Sequence, residues 1–198
     1  MSVFCVLITM RTFIAIEIPA EIKKGMAEAQ GRLKVSGVEA GWTRPEGIHL
    51  TLKFLGDVGE QRIPEIMNAL ALAVKGMDRF RIEIAGVGAF PNPKNARVVW
   101  IGVSGDVERL SSLQSSVEEA MSGMGMERED RKFTPHLTLG RIKYIRSRDA
   151  WVNALDAMKD IRLSSFDVEA VSLMKSELQR SGAVYTEIGR VELKGKLP

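Results

Sequence analysis

The sequence predicts an α+β fold of two pseudo-symmetric lobes, in which antiparallel sheets flank a central cleft and helices cover the outside. Two observations predict it. The tetrapeptide HLTL occurs at residues 49–52 and again at residues 136–139, an offset of 136 − 49 = 87 residues. At this offset, strand-like and helix-like segments follow one another in the same order in both halves of the chain. Each half is therefore predicted to form a β-α-β-α-β unit.

Both units begin with an apolar, β-branched segment that is typical of a strand. It is TFIAIEI in the first unit and RVVWIGV in the second. The segments that follow carry apolar residues three and four positions apart, as on the buried side of a helix. The first unit, residues 10–90, is predicted to have strands over 12–18, 49–52 and 80–90 and helices over 19–35 and 59–77. The second, residues 97–175, is predicted to have strands over 97–103, 136–139 and 164–175 and helices over 104–124 and 147–160.

The rest of the chain adds a linker, one strand and a short N-terminal segment. Residues 91–95, PNPKN, are predicted to be a turn-rich linker, and a last strand is predicted over residues 183–193. Residues 1–9 are either an extension ahead of a start at Met10 or a lengthening of the first strand. We expect residues 1–198 to form a single bilobal domain.

The charge balance permits a polyanionic partner but does not require one. The chain has a formal net charge of +3 and a sequence pI of about 9.1. Basic residues surround the second HLTL, which fits either an anion site or an ordinary solvated surface. They are Arg128, Arg131, Lys132, Arg141, Lys143, Arg146 and Arg148.

The counts of cysteine and histidine narrow the class of protein. The one cysteine, Cys5, forms no intrachain disulfide, which favours a reducing, cytoplasmic setting. With two histidines, the chain offers too few soft ligands for a zinc site of its own. The apolar run near the N-terminus is too short to span a membrane. We therefore expect a cytoplasmic protein with neither a metal site nor a membrane segment.

Each HLTL copy places an imidazole and a hydroxyl on one side of a strand. Because residues two apart point to the same face, His49 and Thr51 project together, while Leu50 and Leu52 point to the opposite face and enter the core. The same counting applies to residues 136–139, where His136 and Thr138 share a face.

Two cations follow these motifs at different steps along the strand. Lys53 is an even step from His49 and should share its face, which makes it a candidate for phosphate contact. Arg141 is an odd step from His136 and should point away from it, unless the strand ends or bulges at Gly140.

Two histidines that face one ligand suit a reaction that needs a base and an acid at the same pH. An unperturbed pKa near 6.5 lets neutral and protonated imidazole coexist near neutrality. Hydroxyl donors and nearby cations suit a phosphoryl group. The alternative is that HLTL repeats only because it packs; packing explains the leucines, but it does not require His and Thr at matched positions.

The motifs and their flanks are similar to a known family. The stretches MRTFIAIEIP, GWTRPEGIHLTLKFLGDV and RKFTPHLTLGRIK resemble the two-histidine phosphodiesterase superfamily with its paired HXTX motifs. Within it, they resemble the RNA 2′,3′-cyclic phosphodiesterase branch, also called the 2′-5′ RNA ligase family. The resemblance covers the chain from Met10 to about Leu193.

The resemblance implies metal-independent hydrolysis of a terminal 2′,3′-cyclic phosphate of RNA to a 2′-phosphomonoester, without a cofactor. It implies that His49 is the proton donor to the departing 3′ oxygen and that His136 is the proton acceptor that activates water. Thr51 and Thr138 are implied to bind phosphate oxygens, and Arg141 matches a basic position after the second motif. The direction of the histidine roles comes from the resemblance, because the sequence is symmetric on this point.

The expected partner is an RNA that ends in a 2′,3′-cyclic phosphate, tRNA half-molecules included. The family is also associated with the reverse reaction, the joining of such halves through a 2′-5′ bond, which we treat as a side activity. We expect a monomer with no membrane partner.

Three aromatic residues flank the motifs and are candidates for stacking on the terminal base: Trp42, Phe54 and Phe133. The alternative for each is a place in the core, which is also the expectation for Trp100 and Trp151. A rival from another functional class is a binding module that captures a nucleotide or an RNA end without turning it over.

Overall fold

The computed structural model describes residues 9–180 and 182–195. They form four α-helices and nine strands, and the strands make up two sheets. The strands are β1 (Thr9–Glu17), β2 (Val38–Trp42), β3 (His49–Gly59), β4 (Phe80–Phe90), β5 (Val98–Gly105), β6 (His136–Ile145), β7 (Arg162–Val168), β8 (Ala170–Gln179) and β9 (Gly182–Glu192). The helices are α1 (Ala20–Lys34), α2 (Ile63–Ala73), α3 (Val107–Gly123) and α4 (Arg148–Asp156). Residues 1–8, on which the two interpretations of the N-terminal segment depend, lie outside the described residues.

The predicted α+β class with two antiparallel sheets is confirmed. The first sheet has the strand order β3-β1-β8-β9, and the second has the order β2-β6-β5-β4-β7. Every pair of neighbouring strands in these sheets is antiparallel. Each sheet combines strands from both sequence units, because β8 joins the first sheet while β2 and β4 join the second, and the additional strand β9 extends the first sheet.

Several elements differ from the prediction. The strand expected over residues 164–175 divides at Glu169 into β7 and β8, which belong to different sheets. The helix expected from residue 59 begins only at Ile63, because β3 continues to Gly59 in register with β1. The short strand β2 was not predicted, since glycines on either side of Glu39 and Ala40 obscure its pattern.

The helices pack on one face of each sheet and enclose a continuous hydrophobic core. Helices α2 and α3 contact each other and strands β9 and β3, while α1 and α4 contact each other and α1 contacts β2 and β7. The four motif leucines lie in this core, as predicted, and each is at most 4% exposed. They are Leu50, Leu52, Leu137 and Leu139. No helix of the described residues is long and apolar enough to cross a membrane.

A second, smaller apolar cluster lies on the other face of the first sheet. Phe13, Ala15 and Met174 are buried in it, and Tyr185 of β9 packs against them. The ring of Tyr185 lies against Gly47, in the turn that precedes His49. The end of the β8-β9 hairpin therefore covers the part of the first sheet next to the first motif.

Candidate active site

The histidine and threonine of each motif lie on the face opposite the main core, which we call the open face of each sheet. All four residues are partly exposed, in alternation with the buried leucines, although the side chain of His49 itself is 5% exposed. The first pair, His49 and Thr51, lies on the open face of the first sheet. The second pair, His136 and Thr138, lies on the open face of the second sheet. The predicted faces of the histidine, the threonine and the two leucines of each tetrapeptide thus agree with the structure.

A β-bulge lies at the last residue of each motif. In the first sheet Thr51 pairs with Ala15, but Lys53 pairs with the adjacent Ile14, so that Leu52 is an extra residue. In the second sheet the bulge falls in the same place, at Leu139. A bulge reverses the alternation of the residues that follow it. The bulges therefore reverse the predicted faces of Lys53 and Arg141, which were assigned by counting along the strand.

The expectation that Lys53 shares the face of His49 is wrong, because the bulge turns Lys53 towards the core. Its Nζ lies 2.6 Å from Oε1 of Glu118 on α3 and donates to the carbonyl oxygen of Glu127 at 2.8 Å. The Lys53 and Glu118 side chains are 2% and 9% exposed. Lys53 is therefore engaged in a buried ion pair beneath the first motif.

The same kind of bulge places Arg141 on the open side of β6. Arg141 is exposed, whereas Leu139 and Gly140 before it are both buried. The bulge that the sequence left as an open alternative is present, and it lies at Leu139 and Gly140. The residue that occupies the matching position after the first motif is Phe54, which is 72% exposed.

Glutamines from the helices bind the backbone at both bulges. Nε2 of Gln30 on α1 donates to the carbonyl oxygens of Leu139, at 2.8 Å, and Thr43, at 2.7 Å. Nε2 of Gln114 on α3 contacts the carbonyl oxygen of Leu52 at 3.5 Å. A bulge frees a carbonyl from the strand ladder, and a buried carbonyl needs a donor. Each motif strand is thus held by a helix from the other sequence unit.

His49 has a hydrogen-bond acceptor at each ring nitrogen. Nδ1 lies 3.1 Å from the carbonyl oxygen of Gly47, and Nε2 lies 2.9 Å from Oε1 of Glu17 on β1. The other carboxylate oxygen of Glu17 lies 3.4 Å from Nζ of Lys23. Burial raises the pKa of Glu17, but the hydrogen bond and charge of His49, with Lys23, outweigh burial and lower this pKa below its ordinary value.

His136 has the same Nδ1 contact but a different environment at Nε2. Nδ1 lies 2.7 Å from the carbonyl oxygen of Thr134. The residue paired with His136 on β5 is Gly102, whereas the residue paired with His49 on β1 is Glu17. Within residues 9–180 and 182–195, no carboxylate pairs with His136. The two imidazoles are therefore anchored alike but are not equivalent electrostatically.

Aromatic rings pack edge-on against both histidines. The rings of Phe13 and Tyr185 lie 5.8 Å and 5.3 Å from that of His49. The rings of Phe90 and Trp100 lie 5.1 Å and 6.4 Å from that of His136. Such edge-on contacts favour one orientation of each imidazole.

Trp100 was expected in the core, and the structure corrects this. Trp100 is partly exposed and alternates with the buried Val99 and Ile101, so it lies on the open face of the second sheet. A Cβ atom at Gly88 would lie 2.4 Å from its ring. The glycine lets the indole lie flat on the sheet beside His136.

The three stacking candidates lie in different places. Phe54 is exposed and its ring is 6.0 Å from that of Phe13, next to His49. Trp42 and Phe133 are partly buried against the main core, and Nζ of Lys34 lies 5.5 Å from the centre of the Trp42 ring. Phe54 is therefore the candidate with a free ring near a motif.

The basic residues around the second motif are all exposed. Two of them are paired with carboxylates, Arg131 with Glu129 at 2.7 Å and Arg146 with Glu39 at 3.1 Å. The hydrogen bonds and charge of Arg131 lower the pKa of Glu129 to about 2.

No group of three or more His, Cys, Asp or Glu side chains in the described part of the chain is arranged to hold a metal ion.

Comparison with known proteins assigns this arrangement to a family. The family model described as LigT-like phosphoesterase matches residues 16–100 and residues 101–185, which together make up most of the chain. The chain belongs to the LigT-like phosphoesterase family. The paired match agrees with the internal repeat around the two HLTL motifs.

Several relatives of this LigT-like chain are curated as RNA 2′,3′-cyclic phosphodiesterases. The protein from Methanothermobacter thermautotrophicus is 37% identical over 178 residues, which is 90% of this chain and 96% of the relative. The protein from Thermotoga maritima is 35% identical over 188 residues, 95% of this chain and 98% of the relative.

Solved structures share the LigT-like fold. A crystal structure of a Thermus thermophilus protein matches with a TM-score of 0.74 and 28% identity, and covers 94% of this chain and 99% of that chain. The crystal structure of E. coli LigT complexed with 3′-AMP matches with a TM-score of 0.70 and 25% identity, with the same coverage of both chains.

Glu17 is the site residue of this LigT-like chain that the sequence reasoning missed, although a local signal exists. It is the acidic residue in the strand IAIEI and alternates with the buried Ile16 and Ile18. A charged residue at an outward position of an apolar strand marks the open face. Tyr185 had no such signal, because its contact with His49 depends on how the β8-β9 hairpin packs.

Proposed function

We propose that this protein is an RNA 2′,3′-cyclic phosphodiesterase that hydrolyses the cyclic phosphate to a 2′-phosphomonoester without a metal ion. The observation that carries the proposal is the matched pair of His-Thr motifs, each with Nδ1 of the histidine bonded to a backbone carbonyl. This bond directs Nε2 of each ring away from that carbonyl, and Nε2 is the atom proposed to transfer the proton; in His49 it exchanges its contact with Oε1 of Glu17 for one with the substrate. Contact between β3 and β6 supports an arrangement in which the two open faces line one cleft.

His136 is proposed as the base and His49 as the acid. Nε2 of His136 takes a proton from water, and the water oxygen forms a bond to phosphorus. The bond from phosphorus to the 3′ oxygen breaks, its electron pair stays on that oxygen, and the oxygen takes a proton from Nε2 of His49. The product carries the phosphate on the 2′ oxygen. A proton has moved from water to one ring and from the other ring to the ribose.

Hydroxyl and guanidinium groups are proposed to stabilise the charge on the phosphoryl oxygens. Thr51 and Thr138 lie two residues after the histidines on the same faces and supply neutral donors. Arg141 lies on the open side of β6 and supplies a cation. Lys53 is excluded from this set, since its ammonium group is buried against Glu118.

The RNA is proposed to contact residues beyond the phosphate site. Phe54 offers an exposed ring for stacking, and the exposed cations around the second motif suit a polyanion. The relatives named RNA 2′,3′-cyclic phosphodiesterase support this class of substrate. If the 5′-hydroxyl of a second RNA replaces water as the nucleophile, the same steps give a 2′-5′ bond, which is the proposed side activity on tRNA halves.

The test is multiple-turnover hydrolysis, in EDTA, of a short RNA that ends in a 2′,3′-cyclic phosphate. We expect many equivalents of 2′-phosphate from the parent and a loss of about 10²–10⁴-fold in His49→Ala and in His136→Ala. Thermal unfolding of each variant controls for folding, and Lys159→Ala, which removes an exposed ion pair with Asp156, is the control variant. Light scattering on the same samples tests for the expected monomer.

Two outcomes would contradict the proposal. If the parent binds the RNA tightly but leaves it intact, the open faces form a binding module. If hydrolysis requires an added metal and stops in EDTA, the acid–base pair of histidines is not sufficient for the chemistry.

A further inference from the structure

We infer that Glu17 is a positioning residue that keeps a proton on His49 and thereby decides which of the two histidines acts as the acid. The inference rests on the proposed function and deepens it. The two motifs are identical in sequence, so neither HLTL copy says which histidine donates a proton and which accepts one. The difference has to come from residues outside the motifs.

Gly47 and Glu17 offer His49 two hydrogen-bond acceptors. The carbonyl oxygen of Gly47 and the carboxylate of Glu17 only accept hydrogen bonds, and they contact Nδ1 and Nε2. A ring with a proton on both nitrogens satisfies both contacts. The His49 side chain is 5% exposed, and Oε1 of Glu17 lies 2.9 Å from its Nε2.

Among the residues that the structure describes, no carboxylate pairs with His136 to hold a second proton. Its Nδ1 donates to the carbonyl oxygen of Thr134, which places the single proton of a neutral ring on that atom. Gly102 stands where Glu17 stands in the first sheet. The lone pair of Nε2 is then free to take a proton from water.

The groups that face His49 come from three elements. Strand β1 contributes Glu17, helix α1 contributes Lys23 through Glu17, and β9 contributes the ring of Tyr185. Nζ of Lys23 also donates to the carbonyl oxygen of Glu46, in the turn before His49. Lys23 thus holds the carboxylate in place, with one oxygen directed to Nζ and the other to the imidazole.

Glu17 stays ionised throughout the pH range in which histidines titrate. Its pKa is lowered from the ordinary value of 4.5 in the folded protein. Since the folded-state value is the lower one, the stabilising contribution of Glu17 is complete above about pH 4.5 and is lost only as the pH falls through the folded-state value. A pH profile between 5.5 and 9 therefore reports the effect of Glu17 on His49.

The experiment compares the pH profiles of kcat/KM for the parent, Glu17→Gln and Glu17→Asp. At pH 5.5, below the ordinary histidine pKa of about 6.5, we expect Glu17→Gln to lie within about threefold of the parent. At pH 8.5 we expect Glu17→Gln to be about 10- to 100-fold slower, with partial recovery in Glu17→Asp. The matched control is Glu169→Gln, which removes a carboxylate paired with Arg79 away from both motifs.

A second substrate tests the step itself. In a cyclic phosphate with sulfur in place of the 3′ oxygen, the 3′ sulfur departs as a thiolate. A thiolate needs no proton from an acid. We expect this substrate to restore Glu17→Gln and His49→Ala to within about tenfold of the parent at pH 8.5, and to leave His136→Ala inactive.

The outcomes separate failure of this inference from failure of the proposed function. If the parent hydrolyses no cyclic phosphate, the proposed function fails. If the parent is active and Glu17→Gln equals it at pH 8.5, or falls by one constant factor at every pH, Glu17 does not hold the proton. If the sulfur substrate does not restore the activity of Glu17→Gln, the inference that Glu17 acts through the acid His49 is also overturned.

Discussion

The two motif strands share their scaffold and differ in their charges. In both strands the histidine binds the carbonyl two residues before it, the fourth motif residue lies in a bulge, and a helix glutamine contacts the bulge carbonyl. The positions around this scaffold differ. The first strand has Glu17 opposite its histidine, a buried Lys53 after the bulge and an exposed Phe54, while the second has Gly102, Gly140 and Arg141.

This comparison shows how a repeated unit can serve an asymmetric reaction. An acid and a base need the same distance and orientation from the phosphate, which a shared backbone provides. They also need opposite protonation states, which a shared backbone alone does not provide. In this protein the difference lies in neighbouring residues, so that the motifs themselves stay identical.

The largest expected effect tests the buried pair of Lys53 and Glu118 beside the first motif. Lys53→Met leaves Glu118 buried without its cation, and we expect a loss of about 3–5 kcal/mol in the free energy of unfolding, measured with urea. Adding Glu118→Leu to this variant should restore most of the loss, because an apolar pair needs no compensation. A loss below about 1 kcal/mol in Lys53→Met would show that water reaches the carboxylate.

The second prediction tests whether the two threonines contribute equally. We expect Thr51→Val and Thr138→Val each to lower kcat/KM by about 10- to 100-fold, because each removes a hydrogen bond to a charged phosphoryl oxygen. Serine at either position should retain most of the activity. If only one valine variant is impaired, the phosphate contacts are as asymmetric as the charges.

The third prediction compares the two glutamines at the bulges. Gln30 bonds two carbonyls at 2.7 Å and 2.8 Å, whereas Gln114 contacts one at 3.5 Å. We expect Gln30→Leu to lower the free energy of unfolding by about 2 kcal/mol and Gln114→Leu by about 0.5 kcal/mol. Equal losses in urea unfolding would mean that the longer contact shortens in solution.

The smallest expected effects distinguish Arg141 from Phe54, which occupy matching positions. Both Arg141→Met and Phe54→Ala should raise KM for RNA by about three- to tenfold. Only Arg141→Met should also reduce the slope of log KM against log salt, by about one, since it removes one phosphate contact. A reduced slope in Phe54→Ala would show that its effect is not stacking.

Much of this site followed from alternation along strands, and the errors arose where alternation is interrupted. The faces of His49, Thr51 and the motif leucines were predicted because each needs only its nearest neighbours. Lys53 was misplaced because a bulge has no signature in HLTLK, and Trp100 because a tryptophan on an apolar strand resembles a core residue. The alternation rule would have placed Trp100 correctly. Its neighbours Val99 and Ile101 are buried, so the residue between them points to the opposite face.

The pairing of the sheets depends on contacts that no local pattern contains. Strands β7 and β8 were predicted as one segment, because nothing in SFDVEAVSLM shows that the chain leaves one sheet and enters the other at Glu169. Likewise, the contact of Glu17 with His49 joins residues on different strands. The existence and type of most elements were predictable, whereas partners distant in sequence were not.

The exchange of strands between the units has a consequence for biosynthesis. Strand β1 leaves the ribosome more than 150 residues before β8, residues 170–179, yet β8 is one of its two neighbours in the sheet. The first sheet therefore cannot close during synthesis of the first unit, and β1 has an unpaired edge until β8 has emerged. In the nascent protein Glu17 and His49 can meet before the β8-β9 hairpin that covers them has been made.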